Sequence, residues 1–360
     1  MYVFSAPKDL EGFDKNLNAY FGENFASEFK AGVTAKMNPS AEERNYAAYM
    51  NVLQGLSLLT DTITTPNGDR MPYVQWMTDS AFNANTNVWN RFFKQQDTIW
   101  SNRAYTYGRN GNPWSTSNAY ANVIGIEKAA GTMTPEKREG GGTCCRLDVD
   151  LVGVQVLGMI DVQVLVAGTL FTGRNIEPIT TASDPYQNID FGVPFTGRPS
   201  ALMFDYKCVV EQESWYWFAK GGGKPKKREF ANGEIDEAEA YIYLQHRWED
   251  EKGKIHSIRV GTGYERFSKS QETWVNAHRV PIHYGDITGE EWYEDYMGFK
   301  CMQRAVNSRG KVTPIIEEGW DGSKNVTHIV IVITAGKYEA FIGKDGNVLW
   351  VDNICLVYPD

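Results

Sequence analysis

The stretch CRLDVDLVG at residues 145–153 decides the fold class, because most of its side chains alternate between apolar and charged. Leu147, Val149 and Leu151 take every second position, and charged side chains stand between them. Successive side chains of a β-strand point to opposite faces of the sheet. The stretch therefore predicts a strand with one buried and one solvated face.

Strand-like runs of this kind continue along the rest of the sequence, separated by Gly, Asn, Asp and Pro. They are MIDVQVLVAG, SALMFDYKCVV, EAYIYLQHRW, KIHSIRVGTG, TWVNAHRVPIHY, NVTHIVIVITAG, KYEAFIG and NVLWVDNICLVY. The one obvious helical pattern among them is TGEEWYEDYMGF at residues 288–299. Parallel strands need long crossovers, which are usually helical. We therefore predict antiparallel sheets in a β-sandwich or jelly roll.

The first 85 residues have a different pattern, which predicts a mainly helical segment. Ser40 and Glu43 form a capping-box signature, and an apolar stripe at spacings of three and four follows in residues 46–56. We divide the chain into a helical arm or cap at 1–85 and a β-domain at 86–360. The arm either packs on the β-domain or docks on a protein partner, and the sequence leaves both readings open.

Charge and hydropathy restrict the partners and the setting of the protein. The formal net charge of −9 argues against a nucleic-acid partner, and no run of 18 apolar residues predicts a membrane span. The first residues lack the pattern of a signal peptide. We expect an extracellular or cell-surface protein if a signal peptide was removed, and otherwise a virion-associated or cytoplasmic one.

Neither the cysteines nor the histidines predict a cofactor. The five Cys residues have no framework or CxxC spacing, and the five His residues show no metal-ligand spacing such as HExxH. There is no GxSxG motif and no phosphate-binding loop. We predict no cofactor.

The tetrapeptide Phe-Thr-Gly-Arg occurs twice, at residues 171–174 and 195–198. Thr-Gly is typical of a turn because Gly can adopt positive φ, and a following Pro can begin a strand without losing a needed N–H group. The pattern predicts two similar turns at sheet ends, with structural roles for five residues: Gly173, Arg174, Gly197, Arg198 and Pro199.

Four blocks together resemble the putative carbohydrate metabolism domain family: AGTLFTGR, FGVPFTGRPSALMFDYK, DEAEAYIYL and GNVLWVDNICLVY. Their order and rough spacing match the family over residues 145–360. Upstream, NPWSTSNAY and NRFFKQQDTIW resemble the segments that open such domains, whereas residues 1–85 are not covered. The resemblance implies a jelly-roll β-sandwich similar to carbohydrate-binding modules.

The segment GEIDEAE at residues 233–239 resembles the active-site signature of family-16 glycoside hydrolases. That resemblance would make Glu234 the nucleophile, Asp236 the helper and Glu239 the acid/base. A retaining mechanism needs two carboxylates about 5–5.5 Å apart, and on a regular strand Glu239 would face away from the other two. The block also overlaps a strand of the family resemblance, which explains it without catalysis.

Aromatic side chains beside hydrogen-bonding groups give the candidates for glycan binding. On the strand AYIYLQHRW, the residues Ala240, Ile242, Leu244, His246 and Trp248 would face the core. The alternate residues would form a sugar platform, a protein interface or plain surface. The full set of candidates is Tyr241, Tyr243, Gln245, Arg247, Trp215, Trp217 and Trp274.

Asp352, on the last predicted strand, is the weak candidate for a metal ligand. Jelly-roll carbohydrate modules often hold a structural Ca²⁺ between such an Asp and an early carboxylate. Here Lys94 follows Phe93 at the early position, and a positive charge there opposes a cation. We predict a salt bridge from Lys94 to Asp352 and no metal.

Three functions remain open. The leading hypothesis is a non-catalytic glycan-binding protein. The alternative is a structural or attachment subunit of a larger assembly, such as a phage virion or tail, with residues 1–85 contacting other subunits. The third is a glycoside hydrolase.

Overall fold

The computed structural model describes residues 114–358, except 119, 124–125, 140–142, 157–159, 177–183, 220–223 and 300–302, together with 62–64, 70–72 and 74–76. The described residues are mainly β, as predicted. No helix among them is long and apolar enough to cross a membrane.

The strands of the first half are β1 Thr62–Thr64, β2 Arg70–Pro72, β3 Val74–Trp76, β4 Trp114–Thr116, β5 Tyr120–Val123, β6 Ile126–Ala129, β7 Met133–Lys137, β8 Thr143–Val156, β9 Ile160–Ala167, β10 Thr169–Asn175, β11 Ile189–Phe191 and β12 Val193–Pro194. Those of the second half are β13 Ala201–Val209, β14 Trp215–Phe218, β15 Lys226–Glu229, β16 Ala238–Glu249, β17 Ile255–Phe267, β18 Gln271–Pro281, β19 His283–Tyr284, β20 Arg304–Val306, β21 Val312–Trp320, β22 His328–Thr334, β23 Ile342–Gly343 and β24 Val348–Val357. Short 3-10 turns occupy Pro185–Asn188, Ala231–Gly233 and Asp295–Met297.

Two large sheets dominate the described residues. The first has the strand order β11-β10-β22-β16-β17-β21-β20, and the second has the order β18-β13-β24-β8-β7. Nearly all pairs are antiparallel, as predicted, but β17 and β21 pair in parallel. A smaller sheet has the order β15-β14-β23.

One hydrophobic core takes side chains from both large sheets. Alternate residues of β16 and β22 in the first sheet meet alternate residues of β13 and β24 in the second, as period-two strands require. Fully buried members include Ala240, Ile242, Leu244, Ile329, Ile331, Ile333, Leu202, Phe204, Leu349 and Val351. The fold is therefore mainly β with a core shared by two sheets, and its jelly-roll topology remains a prediction.

Residues 1–61 and 77–113 lie outside the described part of the chain, and so does most of the predicted helical arm. Within 1–85 the described residues are strands, and β3 pairs with Cys355–Val357 of β24 and extends the second sheet. The predicted helix at 288–299 is wrong, because turns and the 3-10 turn Asp295–Met297 occupy its described residues.

The first Phe-Thr-Gly-Arg copy is not a turn, which corrects the prediction for Gly173 and Arg174. Both lie inside β10, at the point where this strand stops pairing with β22 and β4 and begins pairing with β11. Gly173 has φ +140, and a Cβ there would collide with the carbonyl oxygen of Asp190. The Arg174 guanidinium binds the Asp190 carboxylate at 2.9 Å.

The second copy does lie in a loop between strands, at residues 195–199. Arg198 donates to the carbonyl oxygens of Gly322 and Lys324, at 2.6 and 3.2 Å, and its guanidinium lies 4.3 Å from the ring centroid of Tyr284. The Tyr284 hydroxyl donates to the Pro199 carbonyl at 2.7 Å. A Cβ on Gly197 would collide with the Tyr358 hydroxyl. These contacts are structural, since they tie the loop to its neighbours.

Candidate functional site

The outer face of β16 carries four of the seven predicted glycan-binding residues. Tyr241 and Arg247 are partly exposed, but Tyr243 is 3% exposed and Gln245 is fully buried. Phe171 and other side chains from outside β16 pack over this face. The expectation of a solvent-facing strip is therefore wrong at Tyr243 and Gln245. Trp248, expected in the core, is 38% exposed.

Three partly exposed tyrosines meet on this face, and we call Tyr241, Tyr264 and Tyr296 the tyrosine cluster. Tyr241 and Tyr264 are cross-strand partners on β16 and β17, and their rings stack with centroids 5.1 Å apart and planes 11° apart. Tyr296, from the 3-10 turn, approaches Tyr264 with centroids 5.1 Å apart and planes tilted by 53°. The cluster therefore offers aromatic surface from three separate segments of the chain.

A buried ion pair fixes the cluster from one side. Glu239 Oε2 accepts a hydrogen bond from the Tyr264 hydroxyl at 2.7 Å and one from Arg266 Nε at 3.0 Å. The Arg266 guanidinium lies 3.6 Å from the ring centroid of Tyr296. Glu239 is 6% exposed, and burial raises the pKa of its carboxyl to about 7 although Arg266 opposes the rise. No described residue donates a hydrogen bond to Glu239 Oε1.

Further along β16 the outer face is a closed polar layer. The fully buried Arg259 binds Glu317 through two contacts of 2.6 Å and lies 3.5 Å from the ring centroid of Tyr243. Gln245 donates to Glu317 at 3.2 Å and accepts from Arg247 Nε at 2.8 Å. These contacts satisfy buried groups, so this part of the face is structural support for the cluster.

The two other predicted catalytic carboxylates lie before β16 begins, so strand geometry does not govern them. Asp236 is fully buried and accepts backbone N–H bonds from Lys337 and Lys344, at 3.0 and 2.8 Å. Burial raises the pKa of Asp236 to about 6. Glu234 is exposed and accepts from the Tyr338 hydroxyl at 3.0 Å. Asp236 therefore ties two backbone segments together.

Trp215 and Trp217 are brought together on β14, with centroids 5.5 Å apart and planes at 90°. Trp215 Nε1 donates to Glu213 at 2.7 Å. Both indoles are partly exposed and belong to the small sheet, where β14 pairs with the charged strand β15. They are separate from the tyrosine cluster in sequence and in sheet.

Trp274 lies on the second sheet, where its ring faces the Arg138 guanidinium at 4.2 Å from the centroid. The same guanidinium binds Asp205 and Asp352, each at 2.7 Å. Asp352 is 1% exposed, and burial raises its pKa even though Arg138 lowers it. The predicted partner Lys94 lies outside the described residues. Within the described part of the chain, no group of three or more His, Cys, Asp or Glu side chains could hold a metal ion.

This architecture, a β-rich domain with an aromatic cluster on the outer face of one sheet, agrees with the sequence resemblance. The chain belongs to the family of the putative carbohydrate metabolism domain, whose model matches residues 82–357. The predicted family is thereby confirmed. No curated protein sequence matches the chain.

Two solved structures are distantly similar. One is a putative glycoside hydrolase from Bacteroides thetaiotaomicron, with TM-score 0.41 and 18% identity over 69% of this chain and 63% of that one. The other is a putative glycoside hydrolase from Bacteroides vulgatus, with TM-score 0.36 and 16% identity over 63% of this chain and 77% of that one. Likenesses this distant do not define the activity of this chain.

Sequence reasoning missed Tyr264, Arg266 and Tyr296. The pairing of Tyr241 with Tyr264 and of Glu239 with Arg266 depends on a register shift in the β16–β17 pair. Tyr296 comes from a segment that was predicted to be helical. A correct register of that hairpin is the signal that would have found the first two residues.

Proposed function

We propose that this chain is a non-catalytic glycan-binding protein and that the tyrosine cluster contacts the sugar. The observation that carries the proposal is the arrangement of Tyr241, Tyr264 and Tyr296, whose neighbouring ring centroids are 5.1 Å apart. Aromatic side chains offer a flat apolar face together with a polar edge. A pyranose presents the complementary pair, an apolar C–H face and a rim of hydroxyl groups.

Preorganisation supports the same proposal. The Tyr264 hydroxyl is held by Glu239, and Tyr296 lies against the Arg266 guanidinium. Because the rings are already held in place, the protein would lose less side-chain entropy when a sugar binds. Arg266 and the tyrosine hydroxyls supply the donors and acceptors that sugar hydroxyls require.

The surroundings of the three predicted catalytic carboxylates favour binding over hydrolysis. Asp236 is buried and bonded to two backbone N–H groups, so it is not available to a substrate. Glu239 already receives two hydrogen bonds on Oε2. Glu234 is exposed outside the strand. A retaining hydrolase needs a pair of carboxylates about 5–5.5 Å apart. Here two of the three carboxylates, those of Asp236 and Glu239, already make structural hydrogen bonds.

Hydrolysis is the second candidate, and one observation favours it. Burial raises the pKa of Glu239 to about 7, which is the range of a general acid at neutral pH, and Oε1 has no hydrogen bond from a described residue. A role in a larger assembly through residues 1–85 stays a hypothesis. The jelly-roll topology and an extracellular or cell-surface setting also stay proposals, on the strength of the family alone.

The test is calorimetric titration of the full chain with soluble β-glucan, xylan and mannan. We expect at least one to bind, and Tyr296→Ala to weaken binding about tenfold or more, as the loss of an aromatic anchor does. Trp292→Ala is the matched control, since Trp292 is 41% exposed in the same segment and packs against His283 with ring centroids 4.2 Å apart.

Two results would contradict the proposal. One is that no glycan binds, or that Tyr296→Ala binds as tightly as Trp292→Ala. The other is the release of new reducing ends by the wild-type protein, abolished by Glu239→Gln. That second result would make the protein a hydrolase.

A further inference from the structure

The hairpin of β14 and β15 combines an aromatic strand with a cationic one. β14 reads WYWF with all four side chains partly exposed, and β15 reads KKRE with all four exposed. The two strands pair from Trp215–Glu229 to Phe218–Lys226. β15 is an edge of the small sheet, so one side of it is open.

The cations of this hairpin lie on aromatic rings. Lys227 Nζ is 3.6 Å from the ring centroid of Trp215, and Lys344 Nζ, from the residue that follows β23, is 3.9 Å from the same centroid. The Arg228 guanidinium is 3.6 Å from the centroid of Phe218. A ring face attracts and orients a cation without neutralising its charge.

The three cations of β15 form no ion pair in the part of the chain that the structure describes, unlike Lys344, which pairs with Glu213 and Asp345. No described carboxylate lies within ion-pair distance of Lys226, Lys227 or Arg228. Lys226 and Arg228 lie on one face of β15, about 7 Å apart by strand geometry. The hairpin therefore presents local positive charge, which the Glu213 carboxylate reduces at Lys227, although the whole chain carries a net charge of −9.

We propose that this hairpin is a second binding site, and that its ligand is a polysaccharide bearing sulfate or carboxylate groups. The charge complementarity is local, since the rest of the acidic chain repels a polyanion. The rings of Trp215 and Phe218 hold Lys227 and Arg228 in place, and these cations bind the anionic groups of the polymer. Lysine on an edge strand also discourages strand pairing, but that role does not need the rings.

This site goes beyond the function proposed above and does not require the tyrosine cluster. A stack of rings nevertheless leads from one towards the other. Tyr216 stacks on Phe230 with centroids 4.6 Å apart, and Phe230 stacks on Tyr338 with centroids 4.9 Å apart. Phe230 and Tyr338 lie beside the segment that enters β16, where the tyrosine cluster begins.

The experiment measures binding of the full chain to dextran sulfate and to alginate, with neutral dextran as the uncharged reference. The test variant is Lys226→Gln/Lys227→Gln/Arg228→Gln, which keeps polar side chains on the edge strand. The charge-matched control is Lys252→Gln/Lys254→Gln/Lys311→Gln, three exposed lysines outside the hairpin. Thermal unfolding verifies that both variants are folded.

We expect dextran sulfate or alginate to bind in a salt-dependent way. The hairpin variant should bind about tenfold or more weakly, since each lost surface charge contact weakens binding a few-fold. The control variant should bind within about twofold of the wild type. Which of the two polymers binds decides between sulfate and carboxylate as the recognised group.

Several results would overturn the inference. They are no binding of either polyanion, equal loss in both variants, or equal binding of neutral dextran. Tighter binding of a single-stranded oligonucleotide through the same three residues would assign the hairpin to nucleic acid. Because none of these variants alters the tyrosine cluster, a negative result here does not bear on the proposal that the cluster binds neutral glycans.

Discussion

Arg138→Ala is the substitution whose effect the structure specifies most fully. Arg138 Nη1 donates to Asp205 and to Asp352, each at 2.7 Å, and Nη2 donates to Asn276 at 2.5 Å. The arginine side chain is 13% exposed, and the Asp352 side chain is 2% exposed. Alanine would therefore leave two buried carboxylates without their cation, held only by groups such as the Asn353 amide.

The expected loss is about 3–5 kcal/mol in the free energy of unfolding at pH 7, the usual cost of breaking a buried ion pair from one side. Urea unfolding followed by tryptophan fluorescence measures it. Arg279→Ala is the matched control, because Arg279 is exposed on the neighbouring strand β18 and should change the free energy by less than about 0.5 kcal/mol.

The pH dependence of stability is a second test of this ion pair. Burial raises the pKa of Asp352, and Arg138 counteracts that rise. Without Arg138 the folded-state pKa rises further above the unfolded value, so the folded state of the variant binds the proton more readily. Its stability must then fall as pH rises, and part of the loss should be recovered between pH 7 and pH 5. A variant as stable as Arg279→Ala, or a loss that does not change with pH, would refute the argument.

Two further predictions concern single side chains. Gly173→Ala should cost at least about 2 kcal/mol in urea unfolding, because its φ of +140 and the Asp190 carbonyl exclude a Cβ, whereas Gly131→Ala, in open space, should cost much less. Burial raises the pKa of Glu239 to about 7, so this group makes the wild type less stable as pH rises from about 4.5 to 7. Glu239→Gln should flatten that dependence, and an unchanged pH profile would contradict the burial argument.

The sequence predicted what depends on local pattern. Period-two alternation gave the strands, and the inward positions Ala240, Ile242 and Leu244 are in the core. The family was also recognisable, because its blocks are contiguous in the chain. These features depend only on residues close together in the sequence, so a local sequence pattern is enough to predict them.

What covers a strand could not be read from the strand itself. Tyr243 and Gln245 alternate as surface residues do, yet side chains from distant segments bury them. Gly173 has turn chemistry, but β10 continues through it by changing its pairing partner. Both outcomes depend on contacts between residues far apart in the chain.

The failure to predict Tyr264 has a more specific cause. The β16–β17 pair shifts register between Leu244 and Gln245, so Val260 of β17 has no pairing partner on β16. Without that extra residue, Tyr241 would pair with Gly263, and Tyr264 would face the core. A one-residue slip exchanges the two faces of a strand, and periodicity does not reveal where a bulge lies.

The position of β24 has a consequence for how the protein is made. This strand, Val348–Val357, pairs with β13 on one side and β8 on the other, about 150 and 200 residues upstream. During translation β8 and β13 emerge first, and the edges that β24 will pair with stay open until this last strand emerges. At about 5–20 residues per second, the edge of β8 that faces β24 stays unpaired for roughly ten seconds or longer, whereas β7 can pair with the other edge at once. Nascent chains of this protein are thus exposed to strand-edge aggregation, and a chaperone that shields such edges would raise the yield of folded protein.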